Sequence, residues 1–153
     1  MLIRPFEPGE EAALRTVFFE SVHGLARSNY NASQLDAWAP AQYDTAAWAQ
    51  RMRERQPQVA LIDERHAGYA DLQSSGYIDM FFVSPHFARR GVAGALMHRL
   101  LELAREAGLP SMYSNVSLTA QAFFAKHGFV VERHNQIAVR GAVLTNATMR
   151  RYL

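Results

Sequence analysis

The stretch from Tyr77 to Leu101 constrains the fold of this chain more than any other. Its first seven residues, Tyr77 to Val83, are mostly aromatic and aliphatic, which predicts a buried strand that ends before Pro85. A short loop with two adjacent arginines and a glycine follows, and an amphipathic helix then runs past Leu100. A strand, a basic glycine loop and a helix in this order predict a phosphate-binding site where the helix begins.

The physical reason is the N-terminus of that helix. The amides of a first helical turn have no partner within the helix, and the aligned peptide dipoles place about half a positive charge there. Gly91 removes the Cβ that would keep a ligand from the backbone, and Arg89 and Arg90 add charge. The same pattern is also typical of ordinary α/β packing, so the spacing alone leaves both interpretations open.

Two segments resemble the GNAT N-acetyltransferase superfamily. The segment from Ala88 to Ala93 is similar to its Q/R-x-x-G-x-G/A signature, which binds the pyrophosphate of acetyl-coenzyme A, although alanine stands at the first position. The segment from Ser117 to Phe129 is similar to the family's N-x-x-A-x-x-F-Y-x-x-x-G-F motif, with serine for asparagine and Phe124 for tyrosine. The resemblance covers roughly residues 2–129 and is strong from residue 77 onward.

The resemblance implies one mixed α/β domain over residues 1–153, with a centrally splayed β-sheet flanked by helices. The Tyr77 strand and the Ser111 strand would be the parallel pair that splays apart, and their unpaired backbone groups would bind the amides of pantetheine. Acetyl-CoA is then the expected cosubstrate, and no metal is expected. The residues expected to bind the coenzyme are Phe81, Phe82, Val83, Arg89, Arg90, Gly91, Val92, Ala93, Gly94, Ser117 and Phe124.

The reaction that the resemblance implies is direct attack of a neutral amine on the thioester, with the Phe81 N–H stabilising the developing oxyanion. The family's usual acid is the tyrosine of the second motif, and Phe124 at that position has no proton to donate. Tyr113, Ser117 and water are therefore the alternatives for the acid. Tyr113 is also typical of a strand aromatic that packs in the core.

Asp79 is the only carboxylate in the central strand and is the candidate general base. Strand alternation places it on the same face as Tyr77 and Phe81, where burial would raise its pKa. The alternative is a structural hydrogen bond to a neighbouring strand or loop.

The acceptor is expected to be an amine of a small molecule or of a protein. In the family it binds opposite the coenzyme, beside the segment between the first helix and the next strands, where Tyr30 and Trp38 are the candidate contacts. A different class of function remains open: a coenzyme-A-binding sensor or interaction module without chemistry, which the departures at Ala88 and Phe124 favour.

Composition excludes several other classes. Of the 153 residues, 49% are hydrophobic and 20% are charged, which is typical of a globular domain. The chain has no cysteine for disulfides or thiolate metal sites, and its net charge of +2 is not gathered into a basic tail or stripe, so nucleic acid is not an expected partner. The sequence has neither the apolar core of a signal peptide nor an apolar window long enough to span a membrane. Membrane association is therefore not expected, and a cytoplasmic location is expected.

The rest of the chain predicts alternating helices and strands. Helices are expected from Glu10 to Val22, after an N-cap near Asn31, in a segment that ends at Arg55, and from Thr119 to His127. Strands are expected at Leu2–Phe6, Gln58–Ile62, Gly68–Gln73, Ser111–Val116, Val130–Val139 and Ala142–Arg150. The last two strands form a hairpin whose exposed edge is suited to pairing between two copies, so a homodimer is an expectation.

Overall fold

The computed structural model describes all 153 residues and contains eight strands and five α-helices. The strands are β1 (Leu2–Pro5), β2 (Gln58–Ile62), β3 (Arg65–Ala70), β4 (Tyr77–Ile78), β5 (Phe81–Val83), β6 (Ser111–Ser117), β7 (Val130–Val139) and β8 (Ala142–Tyr152). The helices are α1 (Glu11–Leu25), α2 (Ala32–Trp38), α3 (Thr45–Arg55), α4 (Val92–Glu106) and α5 (Gln121–Lys126). Most predicted elements are confirmed to within a few residues, although β3 begins at Arg65 rather than at Gly68.

The strands form two four-stranded sheets, in the orders β1-β2-β3-β5 and β4-β6-β8-β7. Only the β4–β6 pair is parallel, with Tyr77 beside Tyr113 and Ile78 beside Ser114. The other pairs are antiparallel, as the short turns of the β2–β3 and β7–β8 hairpins require. The predicted splayed sheet is confirmed, because β4 belongs to one sheet and β5, two residues later, belongs to the other.

The prediction of one continuous strand from Tyr77 to Val83 is wrong in one respect. The strand is interrupted at Asp79 and Met80, and the regular alternation of its side chains between the two sides of the sheet is broken there. Ile78 packs into the core beneath α4, whereas Met80 packs into the core beneath α1, and Phe81 returns to the α4 side. Because Ile78 and Phe81 lie on the same side, Tyr77, Asp79 and Phe81 cannot share the single face that the sequence predicts for them.

Asp71 holds the interruption in place. It follows β3 and is completely buried, and its Oδ1 accepts a hydrogen bond from the Met80 N–H at 2.6 Å. The Asp71 N–H donates in turn to the Met80 carbonyl at 3.1 Å. Gln73 donates to the other carboxylate oxygen. Both backbone groups of the displaced residue are therefore satisfied by Asp71, as buried backbone groups require.

The helices cover the two sheets from opposite sides. One core lies beneath α4 and α5 and contains Leu96 and Leu100, and the other lies beneath α1, α2 and α3 and contains Leu14 and Met52. Trp48 belongs to the second core and donates its indole N–H to the Glu11 carbonyl at 2.7 Å. This layering leaves the point where the sheets diverge open between α1–α2 and α4–α5.

No helix combines the length and the apolar character needed to cross a membrane. The predicted cytoplasmic location stays a prediction. So does the homodimer, although β7 is an edge strand of its sheet, as the sequence predicts.

Asp71 generates a prediction about the pH dependence of stability. Burial raises the pKa of Asp71 to about 6 from 3.8, outweighing the hydrogen bonds from Met80 and Gln73. Between these two values the folded state holds a proton that the unfolded chain has released, so the contribution of Asp71 to stability falls as pH rises.

The variant Asp71→Asn tests this, because asparagine keeps an oxygen acceptor and does not titrate. Urea unfolding is expected to show the variant gaining about 2 kcal/mol relative to the wild type between pH 4 and pH 7. Parallel stability curves for the two proteins would contradict this role.

Candidate active site

A gap between β5 and β6 runs through the middle of the molecule. The parallel pairing of β4 with β6 ends at Ile78 and Ser114, where the Ser114 hydroxyl donates to the Ile78 carbonyl at 2.7 Å. Beyond that point β5 pairs only with β3, and Val116 and Ser117 of β6 pair only with β8. The facing edges of β5 and β6 are therefore free of sheet partners.

The direction of the β5 backbone groups follows from their neighbours. The Met80 carbonyl and the Ser84 N–H both bond to the β3 segment, to Asp71 and Ala67 respectively. Because the backbone groups of successive strand residues point to opposite edges, those of Phe82 face β3 and those of Phe81 and Val83 face the gap. The gap therefore presents two N–H donors and two carbonyl acceptors to any extended ligand.

The N-terminus of α4 closes one end of the gap. The Ala95 N–H bonds to the Gly91 carbonyl at 3.0 Å, which leaves the amides of Val92, Ala93 and Gly94 without helical partners. Gly91 adopts φ 78° and Arg89 φ 61°, so the chain reaches the helix through two left-handed residues. A Cβ at Gly91 would touch no protein atom, so the glycine is favoured there by its backbone conformation and not by close protein packing.

Three cavities meet at the gap. The first, of about 230 Å³, lies on the α4–α5 side and is lined by Val22, Ala93 and Phe124, among others. The second, of about 200 Å³, lies on the opposite side between α2 and the β7–β8 hairpin. A narrow passage of about 50 Å³ lies between the facing strands. Trp38, Phe82 and Ser117 line all three, so the two larger cavities meet at these side chains.

Asp79 lies in the passage and in the second cavity. Its Oδ2 accepts hydrogen bonds from Arg55 at 2.9 Å and from Arg51 at 3.0 Å, and Oδ1 has no protein partner. Burial favours the protonated carboxyl, but the two arginines outweigh it and hold the pKa of Asp79 below its ordinary value. The expectation of a raised pKa is therefore wrong. The alternative, a structural hydrogen bond to a neighbouring strand or loop, differs from what is found, because the partners of Asp79 are arginines of α3. The role of Asp79 as the base stays a prediction.

Ser117 and Phe124 lie at the junction, whereas Tyr113 does not. The Ser117 Oγ accepts a hydrogen bond from the Ala120 N–H at 3.3 Å, which leaves its hydroxyl proton free. Phe124 is buried and packs edge-on against Phe81 with ring centroids 5.5 Å apart. Tyr113 lines none of the three cavities and packs beside Tyr77. At about 3.3 Å per strand residue, it lies roughly 13 Å from Ser117.

Tyr30 and Trp38 both line the second cavity, and their contact with an acceptor stays a prediction. The Tyr30 hydroxyl has no free donor, because it donates to the Thr145 carbonyl at 2.6 Å and accepts from the Leu118 N–H at 2.9 Å. Tyr30 thus connects the segment after α1 to both β8 and the end of β6. Its ring also supports Trp38, with centroids 5.5 Å apart. The Tyr30 side chain is a fixed part of the cavity wall, and the Trp38 ring is a surface that a ligand in the cavity would contact.

The sequence analysis misses three charged residues. Asp71, Arg51 and Arg55 together fix the strand break and the carboxylate beside it. Arg51 and Arg55 lie on one face of α3 at the spacing that makes helical neighbours. That spacing is the only sequence signal for the pair, and it does not reveal the acidic partner 24 or 28 residues further along the chain.

A family model described as "Acetyltransferase (GNAT) domain" matches residues 26–151. The chain belongs to the GNAT acetyltransferase family. An uncharacterized N-acetyltransferase of Escherichia coli, YafP, is 34% identical over 148 residues, which are 97% of this chain and 93% of YafP.

Solved GNAT structures agree with this assignment. A GCN5-related N-acetyltransferase from Rhodopseudomonas palustris superposes with a TM-score of 0.95 at 32% identity, over 99% of this chain and 95% of that one. The PaiA N-acetyltransferase of Thermoplasma acidophilum, solved in complex with coenzyme A, superposes with a TM-score of 0.76 at 15% identity, over 99% and 98% of the two chains. The second likeness is one of fold.

The Tyr30 hydroxyl in this GNAT protein generates a prediction about stability. Tyr30→Phe leaves the Leu118 N–H and the Thr145 carbonyl without their partner, which is expected to cost about 1–3 kcal/mol of unfolding free energy. Tyr43→Phe is the matched control, because the Tyr43 ring packs against Trp48 without a hydrogen bond from its hydroxyl to the protein. Urea unfolding measures both variants. Equal losses for the two would show that the Tyr30 hydroxyl does not connect these segments.

Proposed function

We propose that this GNAT protein is an acetyl-CoA-dependent N-acetyltransferase that acts on an amine of a small molecule or of a protein. The observation that carries the proposal is the gap between β5 and β6. It presents the backbone of Phe81 and Val83 along its length, free helix amides at one end and Asp79 with Ser117 at the other.

The residues present fit acetyl-CoA. A pantetheine arm carries two amides, which match the unpaired N–H and carbonyl groups of Val83 along the gap. A pyrophosphate matches the free amides of Val92, Ala93 and Gly94 and the partial positive charge of α4. Arg89 and Arg90 are exposed beside those amides and add charge where phosphates would bind. Bound acetyl-CoA supplies an activated acetyl group as a thioester.

Phe81 is placed to stabilise charge in the transition state. Its N–H faces the gap, and Phe81 lines the passage together with Ser117 of β6 and Phe124 of α5. A fixed backbone donor aimed at a developing oxyanion is worth about 3 kcal/mol in enzymes where one has been removed. The interruption held by Asp71 fixes the position of this donor, because Phe81 is the next residue after Met80.

Asp79 is the proposed base. An acceptor bound as an ammonium first loses one proton to solvent; its nitrogen then forms the new C–N bond, the C–S bond breaks, and one further proton must leave the nitrogen. The free Oδ1 of Asp79 receives that proton directly or through a water. Because the two arginines hold the pKa of Asp79 low, the carboxylate is ionised at neutral pH and is ready to bind an ammonium group.

Ser117 is the proposed donor to the departing thiolate. It replaces the family's tyrosine in this role, because Phe124 has no proton and Tyr113 lies outside the cavities. The Ala120 N–H holds the Ser117 oxygen as an acceptor and leaves its O–H directed elsewhere. Water reaching the passage is the alternative donor.

The proposal is tested by thiol release. Purified protein is mixed with acetyl-CoA and a panel of primary amines, and free thiol is followed with a chromogenic disulfide reagent. Amine-dependent release with acetylated product supports the enzyme. Tight binding of acetyl-CoA without turnover of any amine supports the sensor alternative, which the Phe124 replacement favours.

Asp79→Asn is expected to lower kcat about 100-fold or more and to change the Kd of coenzyme A by less than about twofold. Asparagine keeps the size of the side chain and cannot accept the proton. In the wild type, kcat/KM is expected to rise with pH as the free amine loses its proton. Titration of Asp79 is not expected to change kcat/KM between pH 5 and 7, since the pKa of Asp79 is below its ordinary value. Unchanged turnover at every pH would remove Asp79 from the mechanism.

Gly91→Ala is expected to weaken binding of coenzyme A about tenfold or more, because alanine at φ 78° is strained and its methyl group projects toward the phosphates. Gly108→Ala is the matched control. Gly108 lies just beyond the other end of α4 with φ 68°, and a Cβ there also meets no protein atom. Isothermal titration calorimetry measures both. If both variants bound coenzyme A like the wild type, the helix N-terminus would not be the phosphate site.

A further inference from the structure

The second cavity limits the chemistry of the acceptor, and an inference from it rests on the proposed function. It encloses about 200 Å³, which is below the roughly 300–1,000 Å³ of pockets for drug-sized ligands. It opens to the passage through Trp38, Phe82, Ser117 and Asp79, which line both spaces. An amine held there therefore has its reactive nitrogen toward Asp79 and the rest of its body in the cavity.

The cavity contains one ionised side chain. Asp79 is the only charged residue in its lining, and one oxygen of Asp79 is already used by Arg51 and Arg55. The free oxygen accommodates one ammonium group. A second ammonium group further along the ligand would have no carboxylate to meet, and a carboxylate on the ligand would have no lysine or arginine in the lining. Either charge would be desolvated without a partner, which is costly.

The walls of the cavity are apolar and come from two directions. Trp38 and Phe82 form the side nearest α2, with ring centroids 6.2 Å apart. Ile137, Val139 and Leu144 form the side contributed by the β7–β8 hairpin. Ile137 is 37% exposed. An aromatic or branched aliphatic body between these walls would remove apolar surface from water, at about 25 cal/mol per Å².

Apart from Asp79, the polar part of the lining is uncharged and fixed in place. Asn135 donates from its side-chain amide to Asn146 Oδ1 and to the Thr148 hydroxyl oxygen, at 3.0 Å in both cases. The Thr148 hydroxyl donates to the side-chain Oδ1 of Asn115 at 2.8 Å. The Asn115 and Asn146 side chains that line the cavity are thus held by neighbours outside it, and they offer hydrogen bonds but no net charge.

We propose that the acceptor is a compact monoamine with an uncharged aromatic or branched aliphatic body. The amine binds the free oxygen of Asp79, and the body packs between Trp38 and the hairpin residues. The acceptor carries one positive charge and no negative charge before it reacts.

The test compares kcat/KM for four amines by thiol release. 2-Phenylethylamine has the proposed chemistry, phenylalanine adds a carboxylate to the same body, spermidine adds further ammonium groups, and a lysine-containing peptide presents a protein amine. 2-Phenylethylamine is expected to exceed each of the others at least tenfold. A preference for phenylalanine, spermidine or the peptide overturns the inference and leaves the proposed function standing. Absence of thiol release with every amine overturns both.

A carboxylate introduced into the lining of the second cavity gives a second test. Ile137→Asp is expected to raise kcat/KM for spermidine relative to 2-phenylethylamine at least tenfold, because it supplies the missing carboxylate. Val143→Asp is the matched control on the same hairpin, since Val143 is 53% exposed and lies outside the cavity lining. The control is expected to keep the wild-type ratio. The same ratio in Ile137→Asp as in the wild type would contradict the assignment of this cavity to the acceptor.

Discussion

The hydrogen bonds between Asp71 and Met80 make the divergence of the two sheets possible. A strand that leaves one sheet and joins another must pass through a residue whose backbone groups belong to neither ladder, and such groups are costly when buried. Asp71 binds both groups of that residue, one through its own backbone and one through its carboxylate. The gap between β5 and β6 exists because the backbone groups of Met80 have hydrogen-bond partners within the protein, whereas those on the facing edges of β5 and β6 have none.

The chemistry of the site follows from the same break. Asp79 and Phe81 lie on either side of Met80, so the strand interruption positions both a carboxylate and a backbone donor at the narrow passage. Arg51 and Arg55 offset the burial of Asp79 and keep it ionised. The nearby Asp71 has the opposite balance, because burial outweighs its hydrogen bonds. Two carboxylates eight residues apart in sequence thus have pKa values shifted in opposite directions.

The sequence allowed the order of elements and the helix N-terminus to be predicted, because these depend on local patterns, whereas the parallel pair was implied by the family resemblance. A short apolar run marks strands such as Gln58–Ile62, and a glycine after two arginines marks the start of α4. The strand break at Met80 was not predictable in this way, since Tyr77 to Val83 has the pattern of a strand with one carboxylate, Asp79, and the residue that holds the break is the distant Asp71. The environment of Asp79 was predicted with the wrong sign because α3 supplies its arginines across 24 and 28 residues.

The central claim is that the gap between β5 and β6, closed by the first turn of α4, is where coenzyme A binds. Backbone amide chemical shifts of ¹⁵N-labelled protein, recorded during titration with coenzyme A, test it residue by residue. The account predicts that the largest changes fall on Phe81, Val83 and Val92 to Gly94, while the paired amides of β1 and β2 stay unchanged. Saturable changes confined to other parts of the molecule, or no changes at millimolar coenzyme A, would contradict it.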